Sequence, residues 1–293
     1  MSGPDKRAVR KAFEHSAAHY DEAAVLQREV ATRLLERLDL FKLQPQTILD
    51  IGCGTGYCTN ALAAHYPKAR IVALDLAHAM VRHTRDRFSF IQRKWRGHGF
   101  ACADAERLPF ADQSFEMIFS NLTVQWCGDL EGVFSEFRRV LKPGGVVLFS
   151  TLGPDTLKEL RAAWAAVDGH VHVNQFTDMH DVGDAMVRAR LADPVMDMEM
   201  ITITYQDGMT LMRDLKVLGA HNVNAGRNPG LTGRARLNAV LDAYEQFRSA
   251  EGLLPASYEV LYGHAWRAEQ ERKATPPGDA LIGIDQIGGR RHG

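Results

Sequence analysis

The sequence carries almost no net charge and has no long apolar run. Its 293 residues include 35 lysines and arginines against 36 aspartates and glutamates, a formal net charge of −1 at pH 7. This balance gives no reason to expect nucleic acid or a membrane as a partner. No run reaches the roughly 18 apolar residues of a membrane-spanning helix. The charged segment 1–11 also lacks the apolar centre of a signal peptide.

Cysteine is scarce, and no two cysteines form a C-x-x-C pair. Four cysteines in a chain of this length do not make a disulfide scaffold, so a reducing cytoplasm is the expected setting. We expect no metal site. A catalytic thiol at Cys53 is an alternative to a small side chain tolerated in a turn, and we favour the latter. The four cysteines are Cys53, Cys58, Cys102 and Cys127.

Strands and helices alternate through the first half of the chain. Short apolar runs are typical of buried strands, and segments that predict helices separate them. This alternation indicates an α/β fold with a parallel, Rossmann-like sheet and helices on both faces. The predicted strands span residues 48–51, 70–75, 100–104, 115–120 and 146–151.

The two ends of the chain depart from this pattern. Residues 1–45 predict a helical arm, with one amphipathic helix over 21–40. In the second half, two predicted helices lie between two strands, so we expect a helical cap at about 206–252 of a domain spanning 46–268. Residues 269–293 predict a partly flexible tail. The later predicted helices span 154–167, 178–191, 209–218 and 233–250, and the later predicted strands span 198–205 and 258–266.

The most informative pattern is a glycine turn after the first predicted strand. Asp50 comes near the end of an apolar run that leads into Gly52, Gly54 and Gly56. Glycine permits a sharp turn and the close approach of a ligand, because it has no Cβ. The helix that follows presents free N–H groups and the positive end of its dipole. The pattern therefore indicates a nucleotide-type site.

Two classes of nucleotide fit such a turn. Dinucleotide sites typically use Gly-x-Gly-x-x-Gly, but Tyr57 occupies the position of the third glycine here. Asp75 ends the second predicted strand, where an acid accepts hydrogen bonds from ribose hydroxyls in either class. The spacing favours a ligand site over a plain turn and leaves the nucleotide open.

The surrounding motifs decide between the two classes. In five segments, which occur in order and at family spacing, the chain resembles the class I S-adenosylmethionine-dependent methyltransferases. The resemblance implies S-adenosylmethionine as co-substrate and a seven-stranded sheet whose last strand runs antiparallel. The five segments are 49–56, 73–76 together with Met80, 103–110, 115–120 and 139–145.

The resemblance also implies roles for individual residues. Asp75 would hold the ribose, and Asp104 would accept a hydrogen bond from the adenine amino group. Asn121 would border the methyl-donor end. As alternatives, Asp104 could cap a helix, and Met80 could simply fill the core. The full set implied for the cofactor is Asp50, Gly52, Gly54, Gly56, Asp75, Leu76, Met80, Asp104, Ala105 and Asn121.

A second, longer resemblance concerns the methyl acceptor. Up to about residue 268, the chain is similar to the malonyl-[acyl-carrier protein] O-methyltransferases of biotin biosynthesis. This similarity implies methylation of the free carboxylate of a malonyl thioester, carried by an acyl carrier protein or by coenzyme A. The segments that carry it are 13–20, 120–127, 149–153, 157–160, 162–164, 212–216, 219–220 and 226–229.

The implied acceptor needs no general base, because a malonyl carboxylate is already ionised at pH 7. Since the charges of sulfonium and carboxylate both shrink in the transition state, we expect a dry, partly aromatic chamber. A cation could hold the oxygen that does not attack. For each candidate, a solvated surface charge or core packing is the alternative role. The candidates are the cations Arg213, Lys216 and Arg227 and the aromatic residues Tyr20, Trp126 and Phe176.

An acyl carrier protein would be acidic, so a basic docking surface is expected. Lys6, Arg7, Arg10 and Lys11 would form one basic face of a helical arm, with a plain solvated face as the alternative. Two other functions stay open. One is a small-molecule methyltransferase acting on a quinone ring or a free carboxylic acid, and the other is a non-enzymatic adapter. The intact glycine turn disfavours the adapter.

Overall fold

The computed structural model describes residues 4–218 and 233–269, which build a mixed sheet with helices on both faces. The strands are β1 (Thr47–Ile51), β2 (Arg70–Asp75), β3 (Gly99–Cys102), β4 (Phe115–Ser120), β5 (Leu141–Leu152), β6 (Ala192–Tyr205) and β7 (Leu254–Trp266). The α-helices are α1 (Lys6–Ser16), α2 (Tyr20–Ala23), α3 (Val25–Glu36), α4 (Tyr57–His65), α5 (His78–Arg87), α6 (Phe90–Trp95), α7 (Leu130–Val140), α8 (Lys158–Ala165), α9 (Met179–Arg188), α10 (Gly208–Val217) and α11 (Arg234–Tyr244).

The strand order is β3-β2-β1-β4-β5-β7-β6. Strands β1 to β5 pair in parallel, and β7 runs antiparallel between β5 and β6. This topology confirms the predicted seven-stranded α/β sheet with an antiparallel last strand. The chain switches sides of the sheet between β1 and β4. At such a switch point, the carboxyl ends of the strands leave a crevice for a ligand.

Helices cover both faces of the central strands, which explains their almost continuous apolar sequences. Successive side chains of β1 point to opposite faces. Ile48 belongs to the core layer that contains Leu34 of α3, whereas Leu49 belongs to the layer that contains Phe137 of α7. The sheet is therefore anchored from both sides directly below the glycine turn.

The helix predicted over 21–40 is interrupted. Helices α2 and α3 lie on either side of Ala24, which leaves the helical conformation with a ψ of 42°. In an unbroken helix, Tyr20 would point about 120° away from Leu26. The interruption lets both side chains border the same cavity.

The two late strands are longer than predicted. Strand β6 begins at Ala192 and β7 at Leu254, and their antiparallel pairing extends over both strands. The side-chain alternation revealed only the parts of these strands whose pattern is regular. Helices α10 and α11 lie between them in the chain, at the position of the predicted cap. No helix in the described parts of the chain is long and apolar enough to cross a bilayer.

Glu159 connects α8 to β7. Its buried carboxylate accepts a hydrogen bond from the Ser257 backbone N–H at 3.1 Å and another from the Ser257 hydroxyl at 2.5 Å. Because Glu159 lies in one of the segments that carried the longer resemblance, that segment has a structural role in attaching a wall of the cavity to the sheet.

The substitution Glu159→Ala should lower the free energy of unfolding by about 2–4 kcal/mol, because two buried donors lose their acceptor. The neighbouring Lys158 is half exposed and lies 3.8 Å from Asp155. Lys158→Ala should therefore change the stability by less than about 1 kcal/mol. Urea denaturation of both variants measures the difference, and equal effects would contradict the role of Glu159.

Candidate functional site

A cavity of about 280 Å³ lies at the carboxyl ends of β1, β2 and β4. The N-terminal arm covers one side of it, and α8, the segment after α8 and α10 cover the other. Most of its lining is apolar. Its position matches the crevice that the strand order creates.

Each of the three glycines in the turn is required for a different structural reason. All three have positive φ, of 74°, 53° and 93°. A Cβ on Gly52 would lie 1.8 Å from the Thr123 hydroxyl, and one on Gly56 would lie 3.0 Å from the Thr84 backbone. A Cβ on Gly54 would meet no atom within 4 Å, although Gly54 lines the cavity. Only Gly54 leaves room that a bound ligand can fill.

Asp75 holds the turn from the end of β2. Its carboxylate accepts hydrogen bonds from the Gly54 N–H at 3.0 Å and the Ala77 N–H at 2.8 Å. Burial raises the pKa of Asp75 to about 6, although these two hydrogen bonds oppose the shift. Asp75 also lines the cavity, so it can accept a further hydrogen bond from a ligand.

Asp50 lies behind the turn and does not line the cavity, so its contact with the cofactor stays a prediction. The Thr59 hydroxyl donates to one of its carboxylate oxygens at 2.5 Å, and the other oxygen, Oδ1, is buried without a hydrogen-bond partner. Burial raises the pKa of Asp50 to about 7. Gly56 likewise lies off the wall. Both residues shape the turn from below.

The thiol alternative at Cys53 is not supported. Cys53 is buried, and burial raises the pKa of its thiol well above the ordinary value. A reactive cysteine needs the opposite shift, towards the thiolate. Cys53 therefore acts as a small side chain in a tight turn.

Asp104 is held by the N-terminal arm. Its Oδ1 accepts hydrogen bonds from the Lys6 ammonium at 2.8 Å and from the Glu106 N–H at 3.1 Å. No α-helix begins here, so Asp104 orders a turn and the proposed helix cap was wrong. Lys6 also lies 3.0 Å from the Glu106 carboxylate. It points into the cavity and away from the basic face expected for the arm.

The other residues predicted to contact the cofactor fall into two groups. Leu76, Met80 and Ala105 line the cavity near Asp104. Asn121 lines it at the end of β4, where its amide donates to the Gln27 carbonyl at 3.1 Å and accepts from the Ser150 hydroxyl at 2.8 Å. These two contacts hold the Asn121 side chain in one orientation.

Aromatic rings from the arm and from the segment after β4 meet over the cavity. The Phe13 ring packs edge-on against Trp126, with 5.5 Å between centroids, and against Tyr20, with 6.4 Å. All three line the cavity. The Glu14 carboxylate attaches the arm to the sheet domain by accepting from the first backbone N–H groups of α5. The arm is therefore part of the site.

Two of the predicted cations, Arg213 and Lys216, lie on α10, and only Lys216 lines the cavity. Met212, Leu215 and Lys216 line the cavity, whereas Arg213 is exposed and off the wall. The reason is helical periodicity, because residues three and four apart share a face and Arg213 is turned about 100° away from Met212. Phe176 also lines the cavity. The remaining predicted cation, Arg227, lies outside the described residues.

Sequence reasoning missed a histidine on the segment after α8. His172 lines the cavity, where its ring stacks on Trp164 with 3.6 Å between centroids and an angle of 11° between ring planes. Its Nε2 lies 2.7 Å from the Asp168 carboxylate. The spacing of Asp168 and His172 was visible, but the segment lacks the regular structure that would have placed the pair at the site.

In the described residues, no cluster of three or more His, Cys, Asp or Glu is placed to hold a metal ion.

The chain is similar to curated proteins named malonyl-[acyl-carrier protein] O-methyltransferase. The one from Methylovorus sp. (strain MP688) is 53% identical over 277 residues, which cover 94% of this chain and 93% of the relative. The one from Gallionella capsiferriformans (strain ES-2) is 52% identical over 265 residues, which cover 90% and 91%.

A comparison with protein families and a comparison with solved structures are consistent with this similarity. The family described as "Methyltransferase domain" matches residues 49–149. Among solved structures, the YcgJ protein from Bacillus subtilis superimposes with a TM-score of 0.56 at 18% identity, over 82% of this chain and 100% of that chain. At this identity the superposition supports the fold alone.

Asp50→Asn should become more stable, relative to the parent chain, as the pH rises. Between the ordinary carboxyl pKa near 4 and about 7, the folded parent chain retains a proton on Asp50 that the unfolded chain releases. The parent's free energy of unfolding therefore falls across this window, whereas asparagine does not titrate.

The difference in unfolding free energy between this variant and the parent should shift by about 2–4 kcal/mol from pH 4 to pH 7.5. Urea denaturation at several pH values, without ligand, measures it. Asp39→Asn removes an exposed carboxylate and serves as the control. A pH-independent difference for Asp50→Asn would contradict the proposed effect of burial.

Proposed function

Because the chain belongs to the malonyl-[acyl-carrier protein] O-methyltransferase family, we propose that it methylates the free carboxylate of a malonyl group on an acyl carrier protein, with S-adenosylmethionine as donor. The product would be a methyl ester for biotin synthesis, as the family resemblance implies. The observation that carries the proposal is one continuous cavity, which joins the glycine turn to a mainly apolar chamber.

We assign the glycine-turn end to S-adenosylmethionine, which supplies a methyl group activated by a sulfonium. The open space above Gly54 suits the close approach of the cofactor. The Asp75 carboxylate borders the same cavity and can accept hydrogen bonds from ribose hydroxyls. Asn121, held by two hydrogen bonds, would face the methyl-donor end.

The adenine would lie between the turn and the arm. Leu76 and Met80 offer apolar surface, and the Ala105 backbone lies beside them. Asp104 uses Oδ1 for Lys6, so its second oxygen, Oδ2, can accept from the adenine amino group. Lys6 would thereby orient Asp104 from the arm.

The chamber suits a reaction in which charge disappears. A sulfonium and a carboxylate lose their charges together, so an apolar site favours the transition state over the charged ground state. Tyr20, Trp126 and Phe176 would exclude water from the acceptor. Burial raises the pKa of the Tyr20 hydroxyl, which stays protonated and can donate a hydrogen bond but cannot act as a base.

We further propose that α1 and α5 present the surface that receives the acidic carrier protein. The two helices adjoin, because Glu14 of α1 accepts from the His78 and Ala79 N–H groups. Since α1 also lines the cavity, a carrier bound here would be next to the site. The exposed cations of this surface are Arg7, Arg10, Lys11, Arg82 and Arg85.

Incubation with S-adenosylmethionine and malonyl-carrier protein should add one methylene to the acyl group, as measured by mass spectrometry. Malonyl-coenzyme A, free diacids and a quinone are competing acceptors in the same assay. Preferred methylation of a free diacid or of the quinone would favour the small-molecule alternative. An unchanged acyl mass, with cofactor binding intact, would contradict the proposal.

Gly54→Ala should weaken S-adenosylmethionine binding at least tenfold, because its Cβ would occupy the space proposed for the cofactor. Gly252→Ala is a matched control, since Gly252 also has positive φ with no atom within 4 Å of the added Cβ and lies outside the cavity. Both variants should lose about 1–2 kcal/mol of stability from backbone strain. Calorimetry measures the affinity, and equal affinities in the two variants would argue against the proposed cofactor position.

A further inference from the structure

An acceptor carboxylate loses its hydration when it enters an apolar chamber. Transfer of an ionised carboxylate to such a site costs several kcal/mol unless a hydrogen-bonded partner compensates. Among the described residues that line the cavity, three side chains can carry positive charge: Lys6, His172 and Lys216. Lys6 is already paired with Asp104 and Glu106 at the opposite end. The choice is therefore between His172 and Lys216.

The His172 ring is fixed from two sides. It stacks nearly parallel on Trp164, and its Nε2 contacts the Asp168 carboxylate at 2.7 Å. Its side chain is 13% exposed. This leaves Nδ1, which makes no hydrogen bond within residues 4–218 and 233–269, as the ring atom available to a ligand.

Asp168 is in turn held in place by its surroundings. Its Oδ1 accepts from the His170 N–H at 2.9 Å, and its Oδ2 lies 3.6 Å from the Arg236 guanidinium of α11. Burial tends to raise the pKa of Asp168, but the hydrogen bonds from His170 and His172 prevail and lower it. An ionised Asp168 therefore faces the imidazole.

We propose that His172 binds the acceptor carboxylate through Nδ1–H and holds the oxygen that does not attack, with Asp168 and Trp164 as its positioning residues. This inference rests on the proposed function. With the acceptor in place, the ring lies between two carboxylates and donates to each, from Nε2–H to Asp168 and from Nδ1–H to the acceptor. The ionisable groups that surround the ring are Asp168, Arg236, the neighbouring His170 and the acceptor itself.

His172 is better suited than Lys216 for a geometric reason. A stacked, hydrogen-bonded ring donates in one fixed direction, so it can align the attacking oxygen with the methyl group. Lys216 lies near the end of α10, and its ammonium is a point charge on a flexible stem. It can raise the local concentration of an anion without aligning it.

A histidine paired with an aspartate can also act as a general base. A malonyl carboxylate has no proton to remove at neutral pH, so this role would serve only an acceptor with a hydroxyl or an acidic carbon. The same pair thus gives different expectations for the two acceptor classes. With a carboxylate acceptor, the loss of His172 weakens acceptor binding. With a hydroxyl or acidic-carbon acceptor, the loss of His172 abolishes turnover.

The test compares malonyl-carrier protein with acetyl-carrier protein, which lacks the carboxylate, on the full-length enzyme saturated with S-adenosylhomocysteine. The parent enzyme should bind the malonyl form at least about tenfold more tightly, the effect of one charged hydrogen bond. In His172→Gln, the ratio of the two dissociation constants should fall close to one. Affinity for S-adenosylhomocysteine should stay within twofold, which a collapsed segment would not allow.

Two control variants isolate the effect. His170→Gln changes the neighbouring exposed histidine, which does not line the cavity, and should keep the parent ratio. Lys216→Met should lower the ratio less than His172→Gln does, because a flexible ammonium attracts the carboxylate without a fixed hydrogen bond. An unchanged ratio in His172→Gln, or a ratio lost only in Lys216→Met, would overturn the assignment. A parent enzyme that does not methylate malonyl-carrier protein would instead contradict the proposed function, so the two failures are distinguishable.

Discussion

The hydrogen bond from the Gly54 N–H to the Asp75 carboxylate connects the ends of β1 and β2 beside the cavity that both residues line. Two further bonds run beside it, because the Gly52 and Cys53 N–H groups both donate to the Leu74 carbonyl. The turn after β1 is thus bound to its neighbouring strand before any ligand arrives. The position of the cavity depends on this attachment, and glycine adopts the positive φ values that it requires without the strain that a Cβ would add.

The burial of two acids is a consequence of this arrangement. Asp75 and Asp50 lie under the turn, and burial raises the pKa of each carboxyl. A folded protein tolerates such groups at a cost in stability, and they are characteristic of ligand sites. Asp75 borders the cavity, so a ligand that donates hydrogen bonds would compensate its burial. Asp50 has only Thr59, and its role is to support the turn.

The N-terminal arm contributes to both ends of the cavity. Lys6 contacts Asp104 at the end proposed for adenine, and Phe13 packs on Trp126 and Tyr20 at the end proposed for the acceptor. Donor and acceptor would therefore share one wall. A site of this kind excludes water only when the arm is in place, which fits a reaction favoured by an apolar environment.

Residues close together in sequence were the ones that sequence reasoning located best. The glycine turn, Asp75 at the end of β2 and the alternation of strands and helices all follow from local rules about Cβ atoms and periodicity. The break at Ala24 does not, because it serves the contact of Tyr20 with a distant cavity. The same applies to Arg213 and Lys216, whose orientation depends on which face of α10 meets the sheet domain.

The sequence by itself determined the fold, the turn and the class of donor, since motifs near the chain's own strands encode them. The tertiary structure decided which ionisable side chains reach the cavity. It turned Lys6 inward, left Arg213 outside and brought His172 onto the cavity wall. The physical reason is that these orientations depend on packing between segments far apart in the chain. Local periodicity does not predict such packing.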